Sequence, residues 1–177
     1  ENNLIKRLPE FDACTLRVSK LNENILKNCK KLKVISRHGV GIDNVDTNYL
    51  KKNDIKLLIT TNANAITVAE HTMYMMLSLS KGITQHDQSV RNGLFKKGIK
   101  NIQTLELNNK EILIIGFGRI GRSLVSKCKS FNMRIKIYDP YVEKKVIDSY
   151  NCEKVENLEK SCCSADYITL HLPLTNE

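Results

Sequence analysis

The chain has no tryptophan, only three prolines, and aromatic residues amount to just 6% of it. So few aromatics leave little supply of stacking side chains interleaved with cations, which a nucleic-acid-binding face uses; no nucleic-acid partner is expected. No apolar run approaches the roughly 18 residues of a membrane span, and no basic-then-apolar leader opens the sequence. No membrane partner is therefore expected either. The six cysteines (14, 29, 128, 152, 162 and 163) contain no Cys-x-x-Cys and do not alternate with the four histidines at ligand spacing. That pattern predicts no metal site and reduced thiols, as in a cytoplasmic protein.

What is present describes an ordinary soluble balance. The 177 residues are 41% hydrophobic and 27% charged, enough for one good-sized domain or parts of two. The net charge of +9 is spread along the whole chain and not gathered into a block. It reads as a solvated lysine-rich surface with some attraction for anionic ligands.

The first 60 residues alternate short apolar runs with helical stretches. Ala13–Val18, Lys33–Ser36 and Lys56–Thr60 are strand-like, residues 22–31 and 44–53 have helical spacing, and residues 1–8 resemble the tail of a helix. This β-α-β-α-β alternation predicts a parallel sheet. Next comes the longest helical pattern, over residues 66–91. Thr67 to Glu70 reads as a capping box, Ala69, Met73 and Met76 recur at helical spacing, and glycines 93 and 98 end it. A polar connector follows, placing a domain boundary near residue 105.

Beyond it, Glu111–Ile115 has the continuous apolar character of a parallel strand buried on both faces. Residues 119–130 form a helix with Ile120, Leu124, Val125 and Cys128 on one face, and a second strand through Ile135 and Ile137 ends at Asp139. Helices near residues 143–150 and 155–161 and a strand at 167–172 complete the pattern.

Between the first strand and helix of this second half lies Gly116-Phe-Gly-Arg-Ile-Gly121. A lone Gly-x-Gly-x-x-Gly is a weak signal; a strand before it, a helix after it and an acid about 20 residues further on make it a dinucleotide-binding fingerprint. Gly116 permits the tight turn, Gly118 lets backbone approach a pyrophosphate, and Gly121 allows close helix–strand packing. The first amides of the helix then face the phosphates. Asp139 stands where the adenosine ribose hydroxyls would be held, and its charge disfavours the extra phosphate of NADP. The predicted cofactor is NAD.

A second glycine loop, Arg37-His-Gly-Val-Gly-Ile-Asp-Asn-Val-Asp46, follows the strand at Val34. Its amides could face an anion. Read from these residues alone, it serves equally well as a ligand loop or as a tight strand-to-helix turn capped by Asp43 or Asn44.

Taken in order, residues 31–46, Val68-Ala-Glu70, Leu107-Asn-Asn-Lys110, the 116–121 fingerprint, Tyr138-Asp-Pro140 and His171-Leu-Pro-Leu-Thr175 resemble the D-isomer-specific 2-hydroxyacid dehydrogenases, in particular those acting on phosphoglycerate. The resemblance covers essentially the whole chain. It implies an α/β fold with parallel sheets: a flavodoxin-like partial substrate domain over residues 1–104, including the long inter-domain helix, then the first half of a Rossmann NAD-binding domain over 105–177.

The resemblance also implies roles. Cofactor binding falls to Val40, Gly116, Gly118, Arg119, Ile120, Gly121, Asp139, His171 and Leu172. Substrate binding falls to Arg17, Gly39, Val40 and Gly41. The family's catalytic arginine, glutamate and acid–base histidine would lie beyond Glu177, so no catalytic residue is expected here, and His171 is not the acid–base histidine. The implied reaction is hydride transfer between NAD and a D-2-hydroxy or 2-oxo acid of phosphoglycerate, hydroxypyruvate or glyoxylate type, in a homodimer. Two alternatives stand beside it: an NAD(H)-sensing protein of the corepressor kind, and a catalytically inert remnant. There are departures from the family pattern. Arg17-Val-Ser-Lys20 is one residue shorter than the usual arginine motif, Phe95 replaces a common tryptophan, and Asn109 replaces a common glycine, tolerable because Asn accepts a left-handed backbone.

Overall fold

The computed structural model describes residues 2–61, 63–94 and 103–173. Among them the chain forms two compact units, one ending at Asn64 and the other spanning Ala65–Leu172.

In the first unit, α1 (Asn2–Arg7) runs into a 3-10 turn at Leu8–Glu10, where Pro9 occupies an early position that needs no amide donor. Strands β1 (Ala13–Leu16), β2 (Val34–Arg37) and β3 (Lys56–Ile59) pair in parallel in that order. Two short helices connect them. In α2 (Glu23–Leu26) the Asn22 side chain caps the Ile25 amide at 3.2 Å. In α3 (Thr47–Lys52) Asp46 caps the Tyr49 amide at 3.0 Å, so the helix starts later than residue 44, and neither Asp43 nor Asn44 is its cap. Leu16, Leu21, Ile25, Leu26, Ile35 and Leu50 bury the core between helices and sheet.

The second unit begins with α4 (Ala65–Ser80), and here the structure corrects two expectations. The helix starts before Thr67, which lies inside its first turn, so Thr67 and Glu70 form no capping box. Nor does the helix run to residue 91. Gly82 takes a left-handed conformation, φ 57° and ψ 40°, which ends the helical path, and α5 (Ile83–Arg91) starts anew with Gly82 as its N-cap. The boundary drawn near residue 105 does not coincide with the packing division at Ala65. The buried face of α4, Ala69, Met73 and Met76, shares one core with Leu124, Val125 and Cys128, and the Met73 and Cys128 sulfurs lie 3.8 Å apart. Gly93 follows α5 at φ 68°; Phe95 and Gly98 lie outside the described residues.

Four parallel strands make the second sheet: β4 (Glu111–Ile115), β5 (Arg134–Tyr138), β6 (Glu153–Lys154) and β7 (Tyr167–Leu170), in the order β6-β5-β4-β7. Helices α6 (Arg119–Ser130), α7 (Lys144–Ser149) and α8 (Leu158–Ser164) connect them. Every residue of β4 is buried, as its apolar run predicts. The pattern does not reveal β6, whose two residues carry no apolar alternation. Asn157 caps the Lys160 amide at 2.8 Å, so the helix predicted over 155–161 starts later, at Leu158. Asn109 adopts φ 61°, the left-handed backbone expected of a residue in a glycine position.

An ionic cluster closes the amino end of this sheet. Buried Glu111 lies 2.9 Å from Lys136 Nζ, accepts from the Ser164 hydroxyl at 2.9 Å, and stands 3.9 Å from Arg134. Asp166 accepts from the Glu111 amide at 2.8 Å and from Lys110 at 3.0 Å. Three strands and α8 are thereby fastened at one point. Asp166 precedes β7 and His171 follows it, so the two occupy opposite ends of the strand.

Candidate functional site

The order β6-β5-β4-β7 means that the chain leaves β4 toward β5 on one side and later places β7 on the other. The crevice between the carboxyl ends of β4 and β7 is thus a topological switch point, the place where open parallel sheets bind ligands. The 116–121 loop begins at one of these ends and His171 at the other.

Gly116 has φ 94°, and a Cβ built on it would come 2.5 Å from the His171 carbonyl oxygen. Only glycine lets these two crossing chains approach, and the His171 amide completes the joint by donating to the Ile115 carbonyl at 2.8 Å. Gly121 is constrained in the same way: its Cβ would meet the Gly116 carbonyl oxygen at 2.4 Å, so glycine is what lets α6 lie against the strand end. Gly118 differs. A Cβ there would meet nothing within 4 Å, and its φ of −77° is open to any residue. Protein packing gives no reason for a glycine here; a ligand lying against the backbone does.

Gly118 is the N-cap of the twelve-residue α6 and offers no side-chain cap. The first amides of an α-helix have no intrahelical acceptor, and together with the helix dipole they favour an anion at this point. Arg119 is exposed beside them, and no acidic residue lies in the first turn. Asp139 closes β5. Its Oδ2 accepts from the Phe117 amide at 2.7 Å and its Oδ1 from the Tyr141 amide at 2.9 Å. A carboxylate offers about four acceptor positions, so this one is held in place with capacity left for ribose hydroxyls. The donors and the open space suit a dinucleotide pyrophosphate and its adenosine ribose.

His171 is half-buried, with its Nε2 2.9 Å from the Thr169 hydroxyl. Burial pushes its imidazole below the ordinary histidine range, favouring the neutral ring. Leu172 is exposed next to it; Thr175 lies outside the described residues. Ile120 is partly buried at the start of α6.

In the first unit, the segments after the three strands meet at the carboxyl edge of their sheet. The Gly39 amide donates to the Thr60 hydroxyl at 2.7 Å, and the Thr60 amide donates to the Gly39 carbonyl at 3.3 Å. Gly39 has φ 131°, where a side chain would be strained. Asn44 is the hub that the sequence does not disclose. Its Oδ1 accepts from Arg37 Nε at 3.3 Å, its Nδ2 donates to the Ser19 carbonyl at 2.8 Å and the Arg17 carbonyl at 3.4 Å, and its own carbonyl accepts from Leu21. The Arg37 guanidinium also bonds the His38 carbonyl. Arg17 and the 38–42 loop are thus pinned to each other through backbone. Arg17, Val40 and Gly41 are all exposed. The signal that could have found Asn44 is an Asn following Gly-x-Gly, but that pattern equally describes a helix cap.

Comparison with known proteins agrees with this geometry. Residues 73–177 match the family model for the D-isomer specific 2-hydroxyacid dehydrogenase NAD binding domain. The D-3-phosphoglycerate dehydrogenase of Methanocaldococcus jannaschii is 36% identical over 99% of this chain, and the chain covers 33% of that protein. The hydroxypyruvate reductase of Thermotoga maritima is 35% identical over 99% of this chain and 56% of its own length. The chain therefore spans about a third of the phosphoglycerate dehydrogenases that it matches. Among solved structures, the D-lactate dehydrogenase from Aquifex aeolicus complexed with NAD and lactic acid superposes with a TM-score of 0.81 at 29% identity, over 97% of this chain and 51% of that one. The apo D-lactate dehydrogenase from Escherichia coli superposes at 0.83 with 26% identity, over 99% and 55%. A switch-point crevice, a glycine with open space before a helix N-terminus and an acid fastened beside it suit an NAD-binding domain, and this chain belongs to the D-isomer-specific 2-hydroxyacid dehydrogenase family.

Proposed function

We propose that this chain supplies the cofactor half-site and the substrate loop of an NAD-dependent oxidoreductase acting on the CH–OH group of a D-2-hydroxy acid. The observation that carries this reading is the switch-point loop in which Asp139 is bonded to the Phe117 amide beside the unobstructed backbone of Gly118.

In this reading, the amides at Gly118, Arg119 and Ile120 receive the pyrophosphate, Arg119 adds charge, and Asp139 accepts the ribose hydroxyls. Gly116 and Gly121 let the loop, β7 and α6 close up. The neutral His171 and the exposed Leu172 border the nicotinamide side. When bound, the nicotinamide supplies hydride acceptance and return at C4. The chain's contribution is orientation and fixed charge.

The substrate loop receives the carboxylate on the backbone amides of Val40 and Gly41, while Gly39, its own amide held by the Thr60 hydroxyl, shapes the turn. Arg17 lies at the same sheet edge for a second anionic group. Phosphoglycerate is the substrate we favour over hydroxypyruvate or glyoxylate, on the names of the relatives and the presence of Arg17. The exposed Tyr74, Met75 and Leu79 on α4 support a homodimer. Among the described residues, no helix is long and apolar enough to cross a membrane. All six thiols are free, which suits the cytoplasm.

The test is an oxidoreductase assay on the intact protein, following NADH with 3-phosphohydroxypyruvate, hydroxypyruvate, glyoxylate and pyruvate. Turnover with one of them supports the reading. NADH binding without turnover of any would support the NAD(H)-sensing alternative.

A further inference from the structure

Phe117, the residue between the first two glycines, is held at three points. Its amide donates to Asp139 Oδ2 at 2.7 Å. Its carbonyl accepts from Arg122 Nε at 3.0 Å. Its fully buried ring meets Tyr150 edge-on, with centroids 5.2 Å apart, and lies under the Arg122 guanidinium at 5.4 Å. Arg122 is exposed, is one turn into α6, and makes no ion pair among the described residues.

The peptide joining Phe117 to Gly118 is planar and trans, so its carbonyl and the following N–H point in opposite directions. Fixing the carbonyl fixes the N–H. A glycine on the far side of this peptide makes rotation cheap, since Gly118 has access to conformations closed to other residues. The position that must present its backbone to a phosphate is thus also the one most free to turn away. On the other side of Phe117, Asp139 holds the preceding peptide.

We propose that Arg122 is a positioning residue for the cofactor: by holding the Phe117 carbonyl it sets the direction of the Gly118 N–H toward the pyrophosphate, and it does so through its Nε–H bond and not through its charge. The proposal rests on the NAD-binding reading above. Glutamine is the discriminating substitution, because its amide nitrogen stands at the same place along the side chain as arginine Nε but carries no charge. Lysine keeps the charge and places its nitrogen one atom further out.

The experiment measures NADH, ADP-ribose and adenosine affinities by calorimetry or competition on the intact protein, for wild type, Arg122→Ala, Arg122→Gln and Arg122→Lys, with melting temperatures alongside. Wild type binding NADH sustains the underlying reading; no binding by wild type overturns that reading and the proposal with it. Given wild-type binding, Arg122→Ala is expected to weaken NADH and ADP-ribose about tenfold, the order of one lost hydrogen bond. Adenosine, which lacks the pyrophosphate, is expected to change little, and Arg122→Gln to stay within about threefold of wild type. The proposal is overturned if Arg122→Ala binds NADH like wild type, if adenosine weakens as much as ADP-ribose, or if Lys restores affinity and Gln does not. Should Arg122→Ala fail to fold, the Gln and Lys variants decide by themselves: Gln near wild type supports the hydrogen-bond role, and a tenfold-weak Gln ends it.

Discussion

The carboxylate of Asp139, at the end of β5, accepts the backbone amide of Phe117, in the loop after β4, at 2.7 Å. The acid expected to read the ribose is therefore also a fastener of the phosphate loop. Replacing it should remove both functions. We expect Asp139→Ala to weaken NADH at least tenfold, and the NADH-to-NADPH affinity ratio to shift toward NADPH because the repelling charge is gone. Fluorescence titration with both cofactors checks this; a ratio that stays put would show that Asp139 does not set the choice.

The three loop glycines should separate stability from binding. Gly116→Ala and Gly121→Ala place a Cβ 2.5 Å and 2.4 Å from backbone carbonyl oxygens, and each should cost about 2 kcal/mol or more of stability, since backbone atoms cannot yield cheaply. Gly118→Ala meets nothing within 4 Å and should fold with its melting temperature nearly unchanged while losing NADH affinity. Thermal melts paired with titrations decide. Equal destabilisation at all three would contradict a ligand-imposed role for Gly118.

The Glu111 cluster predicts acid sensitivity. Burial raises the Glu111 pKa, but the hydrogen bonds from Lys136 and Ser164, with the charges of Lys136 and Arg134, outweigh it and leave the carboxyl below its ordinary range. A folded pKa lowered in this way contributes stability that is complete above the ordinary carboxylate value of about 4.3 and is lost as pH falls through the lowered value. Melting temperature should therefore drop below about pH 4, and less steeply in Glu111→Gln. At neutral pH that variant should be less stable by about 2 kcal/mol, because Lys136 is left partly buried without its partner.

The thiols should react in order of exposure. Burial, with the neighbouring Cys152, pushes Cys128 up to about 12, and it is fully buried between α4 and α6; it should resist alkylation in the native protein. Cys163 is exposed and should react first. Mass spectrometry of samples quenched over time reads this directly. Early modification of Cys128 would mean that α4 lifts from α6.

The glycine fingerprint, the acid at Asp139 and the buried run at 111–115 are legible because each is local: a turn geometry, a charge at a strand end, a strand apolar on both faces. The same holds for Asn109, whose left-handed backbone follows from residue type. Less legible are features in which two signals compete. The apolar spacing of α4 continues past Gly82 into α5, and periodicity hides a left-handed break that costs only one residue. Thr67 and Glu70 have capping-box spacing, yet the helix starts before them because tertiary contacts set where it begins. The two residues of β6 carry no pattern; they become a strand because β5 offers them an edge.

By itself the sequence determined the parallel α/β class, the dinucleotide fingerprint and the family, since these depend on residue types at fixed spacing. Only the tertiary structure decided which glycine is left open and which two face protein, because that depends on the carbonyl oxygens of His171 and Gly116, brought close by chain crossings. It alone assigned α4 to the second unit, made Asn44 the hub of the first and set Arg122 against the Phe117 carbonyl. Directions in space, and not identities along the chain, decide such contacts.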